Sequence, residues 1–217
     1  MAQPAPHRSE GRKARTRAAL IAAAQAYAAE GNYTVPITEI TNRANIGIGS
    51  FYNHFQTKEE LFEAAAIAGL ETLADVLDQV TEGVTDPAVI FAHRFRIAGR
   101  LHRVAPQLSK VLLNSGMSLL GADVGLWPRA RRDIAAGVAA GRFTVDDVDL
   151  ATTLIAGGLL GLGQLLHAQP ERDDAASADR MTEDILRMLG LTPAQARRIA
   201  AMPLPDLTLV YPERPGG

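Results

Sequence analysis

Asn45 to Phe62 reads NIGIGSFYNHFQTKEELF, and the fold turns on how this stretch divides. Asn45 is one of the few non-glycine residues that tolerate a left-handed backbone, so Asn45-Ile46-Gly47 can make a corner, with Gly47 acceptable as the N-cap of a helix after it. Upstream, Ile40 and Ala44 share a face of a short helix predicted over residues 37–44, with Pro36 suited to its first turn. Downstream, a second short helix is predicted over residues 47–55. Two short helices about such a corner form a helix-turn-helix, whose second member can enter the DNA major groove while the first braces it. Ile46 and Phe51 then face a small core. Ile48, Gly49, Ser50, Tyr52, Asn53 and His54 cluster at the outward end, and Lys58 lies one turn on. Hydroxyl and ammonium groups reach phosphates, amides reach base edges, and an aliphatic side chain can meet a thymine methyl. An aromatic at helical spacing also fits a core position, so Tyr52 and His54 have two places open to them.

Outward from this stretch the pattern stays helical. Leu20, Ile21, Ala24, Tyr27 and Ala28 mark an amphipathic helix from Ala18, ended by Gly31. Thr57 and Glu60 fit a capping box, and Phe62, Ala66, Leu70, Leu73, Leu77 and Val80 then recur at helical spacing, giving one rod as far as Glu82-Gly83. Further helices are predicted at 87–104, 106–114, 127–140, 146–168 and 175–189, and a last one begins at Thr192-Pro193 with Gln195 as box partner. No segment alternates as a strand would. The fold class is therefore all-α, with a three-helix helix-turn-helix domain at 18–57, a helical domain at 58–201, a basic flexible arm at 1–17 and an irregular, proline-bearing tail at 202–217.

Charge supports the division. The net charge of −2 is unevenly spread: residues 1–60 hold seven Lys/Arg against five Glu, a net of +2, which leaves −4 for the rest. Five of those seven cations lie between Arg8 and Arg17. Such a run is either solvated charge or, beside a helix-turn-helix, a set of phosphate contacts. With no cysteine, disulfides, thiol catalysis and thiolate metal sites are excluded, and a reducing cytoplasm is the natural setting. The polar N-terminus lacks the apolar core of a secretory signal.

Helix 1 ending in AAEGNYTV, together with the stretch ITEITNRANIGIGSFYNHFQTKEELF, resembles the TetR family of transcriptional repressors over about 50 residues. The family pattern runs an Ile-Ala pair, a Gly-Val-Ser turn and a Tyr-x-His-Phe-x-x-Lys-x-x-Leu run at fixed spacing. The resemblance implies that Thr38, Arg43, Ser50, Tyr52, Asn53, His54 and Lys58 face DNA, with the arm around Lys13, Arg15 and Arg17 reaching the backbone. This chain departs from the pattern at Pro36, Ile37, Thr41, Asn45, Gly47 and Ile48. A reader built on Ile48 and Gly49 relies more on apolar contact and shape than on bidentate hydrogen bonds.

The resemblance also implies that the helical domain dimerises and binds a small-molecule effector. Leu150 to Leu166, LATTLIAGGLLGLGQLL, is too short an apolar run for a bilayer crossing, so no membrane is expected. Its glycines at 157, 158, 161 and 163 each cost a helix about 1 kcal/mol relative to alanine, which close approach of another helix offsets. Leu154, Gly158, Leu162 and Leu165, with Met181, Ile185 and Met188, form the expected four-helix dimer interface; an intrachain core helix is the alternative. A pocket for a largely apolar or acidic effector is expected around Phe91, Phe95, Arg100, Leu112, Met117 and Trp127, with core as the bland reading of each. Arg96, Arg100 and Arg103 share one face, either as a solvated stripe or holding an anionic head group. Asp146, Asp147 and Asp149 precede a helix, where capping accounts for them without a metal, and the glycines come after no strand, so no nucleotide loop and no cofactor are expected.

The expected function is thus a homodimeric repressor on a palindromic operator of double-stranded DNA, released by effector. An activator or a protein-responsive regulator is the alternative. An all-helical enzyme is more remote, because no convergent acid, base and nucleophile set is visible.

Overall fold

The computed structural model describes residues 6–106, 108–110, 112–113 and 125–205. Among them the regular elements are all helices: α1 Pro6–Ala29, α2 Ile37–Arg43, α3 Ile48–Phe51, α4 Lys58–Val80, α5 Pro87–Val104, α6 Leu126–Ala139, α7 Val148–Ala168, α8 Asp174–Met188 and α9 Pro193–Ala200. The chain forms two compact units, Met1–Gly69 and Leu70–Gly217.

In the first unit, Leu20, Ala24, Val35, Ile40, Phe51, Phe55 and Leu61 make the buried core. The corner is as the sequence suggests: Asn45 has φ +55° and Gly47 caps α3. Two boundaries differ from expectation. Helix α1 begins at Pro6, so Arg12, Lys13, Arg15 and Arg17 are carried on its first turns and not on an irregular arm. At α4, Thr57 Oγ1 accepts from the Glu60 amide at 3.1 Å, while the Glu60 carboxylate reaches back to the amide of Gln56, not of Thr57, at 2.7 Å.

In the second unit, α5 packs against α6, α7 and α8, because its apolar residues serve two cores. Phe91, Phe95, Ile134, Phe143, Ile155, Leu186 and Ile199 form one; Leu70, Leu73, Leu77, Ile97, Leu101 and Leu112 form the other. The helix starts carry the side-chain caps their sequences announce: Asp86, Asp147 and Asp173 each accept from a first-turn amide, and Thr192 with Gln195 completes a capping box. Asp147 is thereby a cap.

The arginine stripe of α5 is neither solvated nor free for an anion. Arg96 Nε and Arg100 Nη2 both donate to Asp179 of α8, at 2.8 and 2.7 Å, and Arg96 Nη1 donates to the Met202 carbonyl at 2.6 Å. Arg103 donates to the carbonyls of Gln169 and Pro170 at 2.7 and 2.8 Å. Burial pushes the Asp179 carboxyl up, but the hydrogen bonds and charges of Arg96 and Arg100 outweigh it and hold it low.

The glycines of α7 separate into two groups. A Cβ at Gly163 would overlap the His102 ring, and one at Gly158 would touch Met181 Sδ at 3.8 Å, so these two admit neighbours from the same chain. Gly157 and Gly161 meet nothing among the described residues. They lie on an exposed strip with Leu150 (58% exposed), Leu154 (57%) and Gln164. Of the expected interface, Leu162 and Ile185 are instead buried within their own chain, where the 3.6-residue period turns them toward the cores. Gly158, Leu165 and Met181 are half-buried, and Leu154 and Met188 are exposed. At 21 residues α7 is long and apolar enough to cross a membrane by length and composition alone, longer than the apolar run suggested; one side of it is spent on the chain's own cores.

Behind Gly163 lies a buried polar chain. His102 Nε2 faces the Leu159 carbonyl at 3.1 Å and so carries the proton, leaving Nδ1 to accept from the Ser109 hydroxyl at 2.7 Å. Ser109 Oγ in turn accepts from His167 Nε2 at 2.8 Å. His93 is buried, and among the described residues neither ring nitrogen has a hydrogen-bond partner. Burial is the largest cause lowering the titration of His54, His93 and His102, joined by Lys13 and Arg17 at His54, by Arg96 at His93 and by His167 at His102, where the Leu159 bond opposes it.

The native chain therefore holds these rings neutral, and the unfolded chain binds more protons below the ordinary histidine value of about 6.5. Their contribution to stability is present above that pH and is lost as pH falls toward the lower native values. Melting at constant ionic strength is expected to show Tm falling between about pH 7.5 and 5.5. A Tm that rose on acidification would contradict this assignment.

Candidate DNA-reading face and effector site

The face around α3 is built by its core. Phe51 and Phe55 are buried, which turns the residues between and before them outward: Ile48 is 48% exposed and Tyr52 60%, with Gly49 and Asn53 also exposed and Ser50 and His54 half-buried. Tyr52 stands edge-on to Phe51, its ring centroid 5.2 Å away, so the ring is propped from behind while most of the residue stays in water. Leaving an isoleucine and a tyrosine in water beside the corner is what an apolar base reader requires.

Positive charge gathers at the same place. Lys13 and Arg17 of α1 are near enough to depress His54, and the Arg17 guanidinium lies 5.1 Å over the Phe55 ring. Arg15 is exposed and donates to the Gly11 carbonyl along its own helix. Thr38 is exposed at the start of α2. Lys58 is half-buried, its Nζ 3.4 Å from the Val35 carbonyl. Arg43 is paired, donating to Glu30 at 2.7 Å. Of the candidate DNA contacts, Lys13, Arg17 and His54 are thus drawn together, while Arg43 and Lys58 have partners in their own unit.

The expected effector residues do not converge. Phe91 and Phe95 stack in one core of the second unit, and Leu112 sits in the other. Arg100 is held by Asp179, and Trp127 is half-buried at the start of α6. Met117 lies outside the described residues.

What converges instead is charge. Along α4, Glu71, Asp75 and Asp78 stand at i, i+4 and i+7, on one face, and α6 brings Arg129, Arg132 and Asp133 against them. Arg129 pairs with Glu71 at 2.8 Å, with Asp78 at 3.2 Å and with Asp75. Arg132 reaches Asp78 at 2.6 Å. From α5, Arg94 spans Asp78 at 2.7 Å and Asp133 at 2.6 Å, and donates to Thr81 Oγ1. Asp133 is the buried member and Arg94 is half-buried, with side chains 10% and 15% exposed. Burial raises the Asp78 carboxyl, but Arg132, Arg94 and Arg129 together hold it below its ordinary value, and the Asp78 bond raises Arg132. Three helices thus set guanidinium forks and carboxylates side by side, which can both donate to and accept from a ligand hydroxyl. The signal in the sequence was the Arg-x-x-Arg-Asp run facing three carboxylates at helical spacing, polar groups that stand outside any apolar pattern.

A two-unit all-α chain with a helix-turn-helix head and an exposed apolar reader is a DNA-binding transcriptional regulator. Residues 20–65 match the family model for bacterial regulatory proteins of the tetR family, and residues 86–202 match that for the tetracyclin repressor-like C-terminal domain. The chain belongs to the TetR family. Among solved structures it is similar to RolR in complex with the ligand resorcinol, at 37% identity over 91% of this chain and 98% of that one, with a TM-score of 0.69. The likeness to RolR without ligand is 38% identity over 87% and 98%, TM-score 0.68. At 20% identity over 86% and 96%, with a TM-score of 0.51, CprB from S. coelicolor A3(2) shares the fold. No curated protein matches the chain.

Proposed function

We propose that this protein is a cytoplasmic, homodimeric repressor that grips a palindromic operator and releases it on binding a small hydroxylated aromatic molecule. The observation that carries the reading is the guanidinium and carboxylate cluster of Arg94, Arg129, Arg132, Asp78 and Asp133, anchored on the buried Asp133, in a chain 37% identical to a resorcinol-bound regulator. A phenolic hydroxyl donates to a carboxylate and accepts from a guanidinium, so such a ligand exchanges ion pairs for hydrogen bonds without leaving charge bare.

Reading falls to Ile48, Gly49, Ser50, Tyr52, Asn53 and His54, and phosphate contact to Lys13, Arg15, Arg17, Thr38 and Lys58. The exposed strip Leu150, Leu154, Gly157 and Gly161 of α7, with Met188 of α8, pairs with the same strip of a second copy. An isologous pair presents its two heads to half-sites about one DNA turn apart, or a multiple of it. Because α4 runs unbroken from Lys58 beside the head to Asp78 in the cluster, a ligand that repacks the cluster shifts the balance between two states of the heads, by its preference for one state and no more.

Selection of bound sequences from random duplex DNA, with and without resorcinol, tests this. Palindromic half-sites are expected, with retention lost when resorcinol is added. A sequence-selective protein indifferent to resorcinol would sink the ligand class, and no sequence preference would sink the reading as a whole. Reversing two charges, as in Lys13→Glu with Arg15→Glu, is expected to weaken all duplexes alike, because phosphate contacts carry no sequence information. A changed sequence preference at unchanged affinity would remove these residues from the backbone-contact set.

A further inference from the structure

Between Arg17 and Lys58 the sequence contains a single Lys or Arg, Arg43, so the helix-turn-helix proper owns one cation. It is the last residue of α2 and is held from two sides, by Tyr27 in the last turn of α1 and by Glu30 just past that helix's end. Its Nη2 donates to Glu30 Oε1 at 2.7 Å, and its Cζ lies 4.3 Å from the Tyr27 ring centroid. The hydrogen bond to Arg43 holds the Glu30 carboxyl below its ordinary range against a small effect of burial, and the same bond raises Arg43. Both side chains remain in water, 38% and 52% exposed.

A guanidinium fork fits carboxylate and phosphate equally well. An exposed pair is weak and screened by salt, so little opposes its exchange for a phosphate in the dense charge of duplex DNA. Stacking on Tyr27 keeps the guanidinium ordered, so less rotamer freedom is lost when a phosphate takes it.

We propose that Glu30 is a built-in competitor for DNA phosphate: Arg43 rests on Glu30 in the free protein and trades that carboxylate for a backbone phosphate on DNA, staying stacked on Tyr27 throughout. The proposal rests on the DNA-binding reading above. Glu30 thereby caps the affinity of the head for every duplex without affecting which sequence it prefers.

The test is an anisotropy titration of a labelled random-sequence duplex of about three helical turns, between about 50 and 200 mM salt, for wild type, Glu30→Gln, Arg43→Gln and the double variant. Arg43→Gln is expected to lower the log–log salt slope by about 0.9. Glu30→Gln is expected to tighten binding by up to about fivefold, and to do so only where Arg43 is present. An unchanged slope in Arg43→Gln would overturn the phosphate contact. Equal tightening by Glu30→Gln in both backgrounds would reduce Glu30 to long-range charge, and weakening would make the pair a strut; either overturns competition. Failure of wild type to bind any duplex would instead sink the DNA-binding reading itself, and the proposal with it.

Discussion

Leu154→Arg is expected to give a folded monomer that binds its operator about 10²- to 10⁴-fold more weakly than the wild type, because a second head no longer adds its effective concentration to the first. The side chain is 57% exposed in the single chain, so the arginine meets solvent and the fold stands. In the pair it would bring two like charges into a desolvated seam. The glycines of the strip sharpen the prediction. Each glycine in a helix interior forfeits about 1 kcal/mol against alanine, and at Gly157 and Gly161 no neighbour among the described residues explains the loss. A closely crossing helix from a second copy would. Gly161→Leu should therefore also part the dimer, by bulk and not by charge, while Gly163→Leu should damage the chain itself through His102. Sedimentation and operator titration of the three variants decide the matter. A Leu154→Arg protein that stays dimeric with wild-type affinity would move the interface elsewhere.

The head was legible because its signals are local. A left-handed Asn45, the Thr57 cap and the spacing of Phe51, Phe55 and Leu61 each act within a few residues, and all point to one corner. The start of α1 was not legible. Residues 6–17 carry no apolar period, and the helix there continues by backbone bonding, with only side-chain returns such as Thr16 Oγ1 to the Arg12 carbonyl to mark it. In the second unit Asp147 and the Thr192 with Gln195 box marked two helix starts in the same local way, while α6 starts at Gly125 with no side-chain cap. The fate of its charges was hidden, since Arg96 meets Asp179 across 83 positions and Arg94 meets Asp133 across 39, distances that a periodicity along one helix cannot see. For that reason an apparent solvent stripe became a brace between α5 and α8, and the residues expected to line a pocket separate into two cores while the charges gather in a cluster between α4, α5 and α6.

The ion-pair cluster carries the other large effect. Asp133→Ala strips a buried carboxylate from Arg94 and Arg132 and should destabilise the protein by about 1–3 kcal/mol, since Arg94 loses a charged hydrogen-bond partner but keeps Asp78 at 2.7 Å as counter-ion. For a chain of this size the loss corresponds to a fall in Tm of roughly 2–12 °C. Loss of resorcinol response in that variant would be ambiguous, because a weakened core disturbs everything. Replacing both ends of the pair removes the ambiguity. Arg94→Met with Asp133→Leu leaves neither charge unpaired at that bond, and buried pairs exchanged for apolar residues of similar volume are often neutral or stabilising. The double variant is therefore expected to melt well above Asp133→Ala, to bind operator as the wild type does, and to keep its grip when resorcinol is added, because its hydroxyls have lost both the fork and the carboxylate. A double variant that still let go of DNA at wild-type resorcinol concentrations would place the effector away from Arg94 and Asp133.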